Sequence, residues 1–413
     1  MPGQRIPVDI GELFLACDQP GVALWRVGDS WCLAFAPTSE TTVADAAFGQ
    51  MTSRDATGPP DPAMPPKLPL GFGFFSYDYG RDTLGVAGKT DAVTPPLLWR
   101  QYDSFLYGAL GAGSCLAVGP VPGLDIPARR GERADRPGHV GPFAPLHDEA
   151  IWHRGFRQTT EAIYTGEVYQ LNLGRQYQAE SSGSRRALFL ELCRRNPARY
   201  AAYVEAADYA ILSLSPELFL RFAGDAVVTE PIKGTRPRSP DPETDEANRL
   251  ALLTSEKEAA ELLMITDLLR NDLMQTCRSG SIEVEALRAI QQNPTVWHTV
   301  SRIRGRRRAD RTLADTLASC LPGGSISGCP KHRACELIEA FEPHARGIFC
   351  GSLGWVDSSG RGEFSILIRT LLAHKNSLRL QLAGGITASS QIEREAEELR
   401  EKGAVFFGLA DPG

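Results

Sequence analysis

A lysine lies in the middle of a short segment rich in proline, glycine and arginine. Residues 231–238 read Pro-Ile-Lys-Gly-Thr-Arg-Pro-Arg, with Lys233 at the third position. The prolines fix φ and Gly234 permits a close approach of the backbone, so we predict a turn that positions one amine. A neutral lysine amine can act as a nucleophile or a base, and the arginines suit an anionic substrate. A structural surface lysine is the plain alternative.

Paired glutamates occur in two segments that we predict to be helices. Glu258 and Glu261 are three residues apart, as are Glu395 and Glu398, so each pair shares one helix face. Lys402 follows one turn after Glu398. Two such faces could meet around Mg²⁺, which prefers oxygen ligands and keeps several waters. Taken alone, paired glutamates on helices usually mark solvated faces.

Three further features could carry chemistry but are ambiguous by themselves. Glu217 follows Ser-Pro at the start of a predicted strand and could be a general acid or an exposed turn residue. His298 lies on a predicted strand, where a single histidine is more often structural. The Gly/Ser segment 322–331 opens a helix whose free N–H groups could bind an anion, although many such segments bind nothing.

Together these segments resemble those of the chorismate-utilising enzymes. That family includes anthranilate synthase component I, aminodeoxychorismate synthase component I, and the isochorismate and salicylate synthases. The resemblance is strong from about residue 150 to the end and weak before residue 68. Pro-Ile-Lys-Gly-Thr matches the aminodeoxychorismate synthase subfamily, whereas anthranilate synthases usually have alanine at the position of Lys233. Gln170 stands where isochorismate and salicylate synthases carry a lysine that activates water.

The resemblance implies roles for the reacting and binding residues. Lys233 would attack the ring of chorismate and form a covalent adduct that ammonia displaces. Glu217 would protonate the ring hydroxyl as it leaves. The residues that would hold the substrate are Gln170, Thr235, His298, Ser327, Gly328, Arg369, Gly384, Gly385 and Lys402.

The resemblance also implies a metal and a partner. Glu261 and Glu398 match the family's direct Mg²⁺ ligands, with Glu258 and Glu395 behind them, and the metal would hold the ring carboxylate of the substrate. The expected reaction converts chorismate and ammonia to 4-amino-4-deoxychorismate, the precursor of p-aminobenzoate and folate. Because no glutaminase segment is recognisable, we expect a separate glutamine amidotransferase subunit to deliver the ammonia.

Some features leave other functions open. Cys329, Ser389 and Ala383 replace the family's usual alanine, aspartate and glycine, although none of these changes removes a catalytic group. An anthranilate synthase component I would add ammonia at the neighbouring ring carbon and release pyruvate. A non-catalytic chorismate-binding or regulatory protein is an alternative of another class.

Composition narrows the broad class of protein. The chain has 413 residues and a formal net charge of −6, which does not favour a nucleic-acid partner. We interpret the basic run 302–308 as a solvated loop. The nine cysteines lack paired CxxC spacing and, without a signal peptide, indicate free thiols in the cytoplasm. No apolar run is long enough to span a membrane.

Periodicity predicts a mixed α+β chain. The predicted helices are 148–165, 185–196, 255–276, 331–341 and 391–407, and most of the remaining apolar runs are predicted to be strands. Runs of hairpin-like strands interrupted by single helices favour antiparallel sheets. The resemblance implies that large sheets pack face to face with helices outside, in two intimate subdomains around a central cleft. We assign 1–130 to an N-terminal region that contributes to the sheet core, and 147–413 to a chorismate-binding catalytic domain.

Overall fold

A computed structural model describes residues 4–51, 65–120 and 138–410 of the chain. Within these ranges the strands are β1 (Gln4–Ile6), β2 (Ala23–Val27), β3 (Ser30–Ala34), β4 (Ser39–Thr41), β5 (Leu70–Phe75), β6 (Leu97–Tyr102), β7 (Phe105–Gly108), β8 (Cys115–Val118), β9 (Ala144–Pro145), β10 (Gln170–Glu180), β11 (Tyr200–Glu205), β12 (Tyr209–Ser215), β13 (Leu218–Ala223), β14 (Ala226–Glu230), β15 (Ile232–Pro237), β16 (Glu283–Gln292), β17 (Val296–Arg306), β18 (Gly328–Cys329), β19 (Ser352–Asp357), β20 (Gly362–Ile366), β21 (Thr370–His374) and β22 (Ser377–Ile386). The composition of 52–66 predicts a loop and that of 128–146 predicts a linker. Most of the first segment and part of the second lie outside the described residues.

The helices of the described ranges lie between and after these strands. They are α1 (Ile10–Ala16), α2 (Ala44–Gln50), α3 (Tyr77–Thr83), α4 (Glu149–Tyr164), α5 (Arg185–Arg195), α6 (Pro242–Thr254), α7 (Glu256–Met274), α8 (Leu313–Cys320), α9 (Gly324–Ser327), α10 (Lys331–Phe341) and α11 (Ile392–Phe407). All five helices predicted from periodicity are therefore confirmed to within two residues at each end. None of the described helices is both long and apolar enough to cross a membrane.

Two large antiparallel sheets form the core. The first has the order β1-β8-β7-β3-β2-β11-β12-β21-β22-β10-β18, with β9 also paired to β10. The second has the order β15-β17-β14-β13-β20-β19-β5-β6-β4, with β16 also paired to β17. Apolar side chains of the two sheets pack together, as where Trp25 on β2 stacks on Phe72 on β5 with ring centroids 4.2 Å apart. The α+β prediction with sheets packed face to face is confirmed.

Several elements differ from their prediction. The segment around Lys233 is strand β15 rather than an isolated turn, because it pairs with β17 and absorbs Gly234 as an irregularity in the register. The basic run is also not a loop, since Arg302 to Arg306 form the end of β17 and Arg302 pairs with Glu230 at 2.6 Å. Helix α6 was not predicted.

The ends of β10 and α10 are connected by a buried ion pair. Arg346 contacts Glu342 at 2.6 Å, and both side chains are about 1% exposed. Glu342 also accepts a hydrogen bond from the backbone N–H of Gly174, while Arg346 donates to the carbonyl oxygens of Asn172 and Ile326. Burial alone would raise the pKa of Glu342, but the guanidinium outweighs burial and lowers it. The pair therefore links β10, α9 and α10 through charged hydrogen bonds.

We predict that Arg346→Met destabilises the protein by about 3–5 kcal/mol, because it leaves the Glu342 carboxylate buried without a partner. Denaturant unfolding measures this change. The double change Glu342→Gln with Arg346→Met should recover part of the loss. Arg333→Met is the matched control, since Arg333 is 44% exposed in its pair with Glu167, and it should cost less than about 1 kcal/mol. A small effect of Arg346→Met would contradict the structural role of the pair.

Candidate active site

The predicted site residues gather where the two sheets end near each other. Strands β22, β10 and β18 lie at one end of the first sheet, and β15 and β17 lie at one end of the second. Helix α7 packs on β15 and β17, and helix α11 packs on β22. Lys233, the four paired glutamates and the glycine segments lie on these elements or on the loops beside them. Glu217 lies between β12 and β13, and Arg369 lies between β20 and β21.

Lys233 extends from β15 toward the first sheet. A Cβ atom placed on Gly385 of β22 would lie 3.4 Å from the Lys233 Nζ and only 2.1 Å from the Gln170 Nε2. A side chain at position 385 would therefore displace Gln170, which is 1% exposed. The absence of a side chain at Gly385 leaves room for the amide and the amine to face the same space.

The bulge at Gly234 brings β15 close to α7. Gly234 has φ +79°, a conformation that strongly favours glycine, and a Cβ atom there would lie 2.7 Å from the Glu258 Oε2. The register shift falls between Lys233 and Thr235, which pairs across the strands with His298. The glycine therefore sets both the side to which Lys233 points and the approach of the first α7 glutamate.

Glu217 is a buried acid with a single hydroxyl partner. It is 6% exposed, and the Ser325 hydroxyl donates to its Oε1 at 2.7 Å. Burial raises the pKa of Glu217 to about 7, although Ser325, Lys233 and Lys402 all act to lower it. A carboxyl group that is half-protonated near neutral pH can donate a proton to a leaving group.

Ser325 was not predicted as a site residue. It lies in the Gly/Ser segment that sequence analysis singled out, where one turn of helix, α9, places its hydroxyl on Glu217. Two neighbours in that segment were predicted. Ser327 is fully buried and donates to the Gly323 carbonyl at 2.9 Å, and Gly328 has φ +148° with its backbone against that of Gln170.

Arg369 is a partly buried cation without an acidic partner among the described residues. It lies between β20 and β21 at φ +50°. Desolvation lowers the pKa of its guanidinium, and burial together with Arg369 lowers the pKa of His298 to about 4. The imidazole is thus neutral at pH 7, and Asn293 contacts its Nδ1 at 3.3 Å. An unpaired, partly desolvated guanidinium is stabilised when an anion joins it, which favours a carboxylate-bearing ligand.

Four glutamates converge from two helices, and we name Glu258, Glu261, Glu395 and Glu398 the glutamate cluster. Each helix carries a glutamate on the same face as a buried leucine one turn later. Glu258 precedes Leu262 on α7, and Glu395 precedes Leu399 on α11. Burial raises the pKa of Glu261 and of Glu395. For Glu398, burial also acts to raise the pKa, but Lys402 at 2.6 Å outweighs it and the pKa is lowered.

The cluster has the chemistry of a hard-cation site. Glu258 Oε2 and Glu395 Oε2 are buried oxygens without a hydrogen-bond partner, and water bound to a nearby divalent cation would supply one. Within the described ranges, no three His, Cys, Asp or Glu side chains converge tightly enough to hold an ion as they stand. Mg²⁺ needs only one or two direct carboxylates and retains water, so the donor set fits Mg²⁺ without a preformed cage.

The remaining predicted residues hold the edges of the site. Lys402 donates to the Ala383 carbonyl at 2.9 Å and so ties α11 to β22. A Cβ atom on Gly384 would lie 3.0 Å from the Glu395 Oε2, so this glycine also opens space beside a glutamate. Two pockets of about 310 and 280 Å³ are lined by other residues, among them Trp152 and Arg379. The candidate site is thus distinguished by its charges rather than by cavity size.

Comparisons with known proteins concern the family and the fold of the chain. Residues 24–408 match the family model described as chorismate binding enzyme. Aminodeoxychorismate synthase component 1 of Escherichia coli is 36% identical over 344 residues, covering 80% of this chain and 74% of that protein. Anthranilate synthase component 1 of Thermus thermophilus is 36% identical over 284 residues, covering 69% and 60%. The solved menaquinone-specific isochorismate synthase of Escherichia coli has a TM-score of 0.79 at 18% identity, covering 100% and 95%, and shows the same fold.

We predict that Glu217→Gln removes a pH-dependent loss of stability. Burial makes this carboxyl harder to ionise in the folded protein than in the unfolded chain, so the wild type loses stability as pH rises from about 4.5 to about 7. Such a shift corresponds to roughly 3 kcal/mol. Urea unfolding at pH 4.5 and pH 8 should show that the variant loses about that much less than the wild type. Glu401→Gln, the same change at an exposed carboxyl, should retain the loss, and equal losses in all three proteins would refute the assignment.

Proposed function

The chain belongs to the family of chorismate binding enzymes, and we propose that it converts chorismate and ammonia to 4-amino-4-deoxychorismate. The observation that carries the proposal is the amine of Lys233, which faces the buried acid Glu217 and the neutral amide of Gln170. The relatives named aminodeoxychorismate synthase component 1 support the same reaction. The product would feed p-aminobenzoate and folate synthesis.

The proposed substrate contacts are a guanidinium, two backbone segments and an imidazole. Chorismate carries two carboxylates, and Arg369 is a partly buried guanidinium, without an ion pair among the described residues, that can receive one of them with matched geometry. The backbone of β22 at Gly384 and Gly385 and the segment around Ser327 border the same space. His298 is neutral at pH 7 and can donate or accept a hydrogen bond without repelling a neighbouring cation.

The first chemical step uses Glu217 and Lys233 together. The lysine nitrogen forms a bond to the substrate ring, and the ring hydroxyl leaves as water by taking the proton of Glu217. The pKa of Glu217 near 7 leaves a large protonated fraction at neutral pH. Ammonia then forms the new carbon–nitrogen bond as the lysine departs as an amine. The enolpyruvyl group is retained throughout.

Mg²⁺ is the proposed cofactor. Glu261 and Glu398 would bind it directly, with Glu258 and Glu395 supporting them, and their donor oxygens suit a hard cation. When bound, the metal neutralises the ring carboxylate of the substrate and fixes its position. Glu258, Glu261 and Glu395 are largely buried, which limits screening of the interaction by water, whereas the Glu398 side chain is 44% exposed.

Gln170 favours nitrogen over water as the nucleophile. It is buried, its Oε1 has no hydrogen-bond partner, and it cannot act as a base because the amide does not titrate. Ammonia would be delivered by a separate glutamine amidotransferase subunit, a proposal supported by the name component 1 of the relatives. Synthesis of anthranilate is the second candidate reaction, because relatives named anthranilate synthase component 1 have sequence identities to this chain similar to those of the aminodeoxychorismate synthases.

We predict one product when the purified chain is incubated with chorismate, Mg²⁺ and an ammonium salt at mildly alkaline pH. The expected product is aminated and keeps its enolpyruvyl group, which mass spectrometry distinguishes from anthranilate and pyruvate. Anthranilate would replace this proposal with the second candidate. Unchanged chorismate, even with a glutaminase subunit and glutamine, would favour a non-catalytic role.

We further predict that Lys233→Ala abolishes covalent capture of the substrate. Wild-type protein quenched with chorismate and Mg²⁺ in the absence of ammonia should gain the mass of chorismate less one water, as measured on the intact protein. Lys233→Ala should gain nothing and should lose roughly 10²-fold or more in amination rate. Lys67→Ala is the control, because it removes a lysine outside the site and should behave as wild type. An adduct on Lys233→Ala would refute lysine as the nucleophile.

A further inference from the structure

Each member of the glutamate cluster has a lysine or arginine beside it. Arg236 contacts Glu258 at 2.9 Å, and Lys402 contacts Glu398 at 2.6 Å. Lys257 differs because its Nζ lies 3.8 Å from Glu261 on α7 and 3.7 Å from Glu395 on α11. Among the ion pairs of the described residues, Lys257 is the cation that contacts cluster carboxylates on both helices.

Two of these three cations are anchored by further hydrogen bonds. Arg236 also donates to the Thr235 carbonyl at 2.8 Å, and Lys402 also donates to the Ala383 carbonyl at 2.9 Å. Both contacts of Lys257 exceed hydrogen-bond length, and its side chain is 48% exposed. A half-exposed ion pair of this length contributes little and can be exchanged at low cost.

The two carboxylates that Lys257 contacts can accept a further partner. Glu395 is 3% exposed, with Oε1 accepting from the Ser390 hydroxyl at 2.6 Å and Oε2 unpaired. Glu261 has Lys257 as its ion-pair partner in the described part of the chain. Without a cation between the two helices, these buried negative charges would repel each other.

We propose that Lys257 is a resident cation that lies between Glu261 and Glu395 in the metal-free protein and moves to solvent when Mg²⁺ binds. The inference rests on the proposed function, which places Mg²⁺ on Glu261 and Glu398. Lys257 neutralises part of the glutamate cluster before the metal arrives and competes with it for Glu261. The free protein therefore binds Mg²⁺ more weakly than its carboxylates alone would allow.

The test is calorimetric titration of Mg²⁺ into the metal-free protein without substrate. Lys257→Gln should bind Mg²⁺ about tenfold more tightly than wild type, because a competing charge about 4 Å from the ligands is gone. Lys257→Arg keeps the charge and should stay near the wild-type affinity. Lys67→Gln removes an equal charge outside the cluster and should change nothing. Equal or weaker binding by Lys257→Gln overturns the proposal.

A second readout is the melting temperature without metal. Lys257→Gln should melt below wild type in the absence of Mg²⁺ and recover when Mg²⁺ is added, since the metal then separates the repelling carboxylates. A melting temperature unaffected by the substitution in both conditions contradicts the role of Lys257.

The outcomes also separate this inference from the proposed function. Glu261→Gln should abolish Mg²⁺ binding, and if neither wild type nor Lys257→Gln binds Mg²⁺, both the metal assignment and this inference fail. If Lys257→Gln binds more tightly but no aminated product forms, the inference stands and the proposed reaction fails.

Discussion

The buried pair of Glu342 and Arg346 is the interaction on which the geometry of the site depends. It joins the end of α10 to β10 and to the Ile326 carbonyl in α9. Strand β10 begins with Gln170, and α9 carries Ser325, so the pair sets the relative position of two parts of the site. Two charged side chains that are excluded from water have few alternative arrangements, because moving either one leaves a buried charge without a partner. The pair therefore restricts the site to one geometry.

The charged side chains of the site are of two kinds. The glutamate cluster has resident cations, whereas Arg369 and Glu217 have no counter-charge in direct contact. Arg369 is suited to an arriving carboxylate, and Glu217 remains partly protonated because it is buried. Unmatched charges on a rigid frame are characteristic of a site that binds a charged ligand.

Sequence reasoning predicted the long helices well and the strands around the site less well. The apolar stripe Leu262, Ile265, Leu269 predicts α7 directly, since a helix repeats every 3.6 residues. Strand β15 was interpreted as a turn because its proline and glycine are typical of turns, and only pairing with β17 makes it a strand. The apolar run 365–372 predicts one strand, but in the structure it is divided between β20 and β21 at the positive φ of Arg369. No local pattern in the sequence signals that break.

The sequence by itself determined the family, the α+β class and the residues named for the site, because motif spacing and periodicity are local properties. Lys233 and Gln170 favour the aminodeoxychorismate synthases within that family through residue type alone. Only the tertiary structure determines which charged and polar side chains are in contact. The contacts of Ser325 with Glu217, and of Lys257 with Glu395, join residues more than a hundred positions apart. Burial in the folded protein also determines the protonation of a site residue. A glutamate with an ordinary pKa of 4.5 has a pKa of about 7 at position 217.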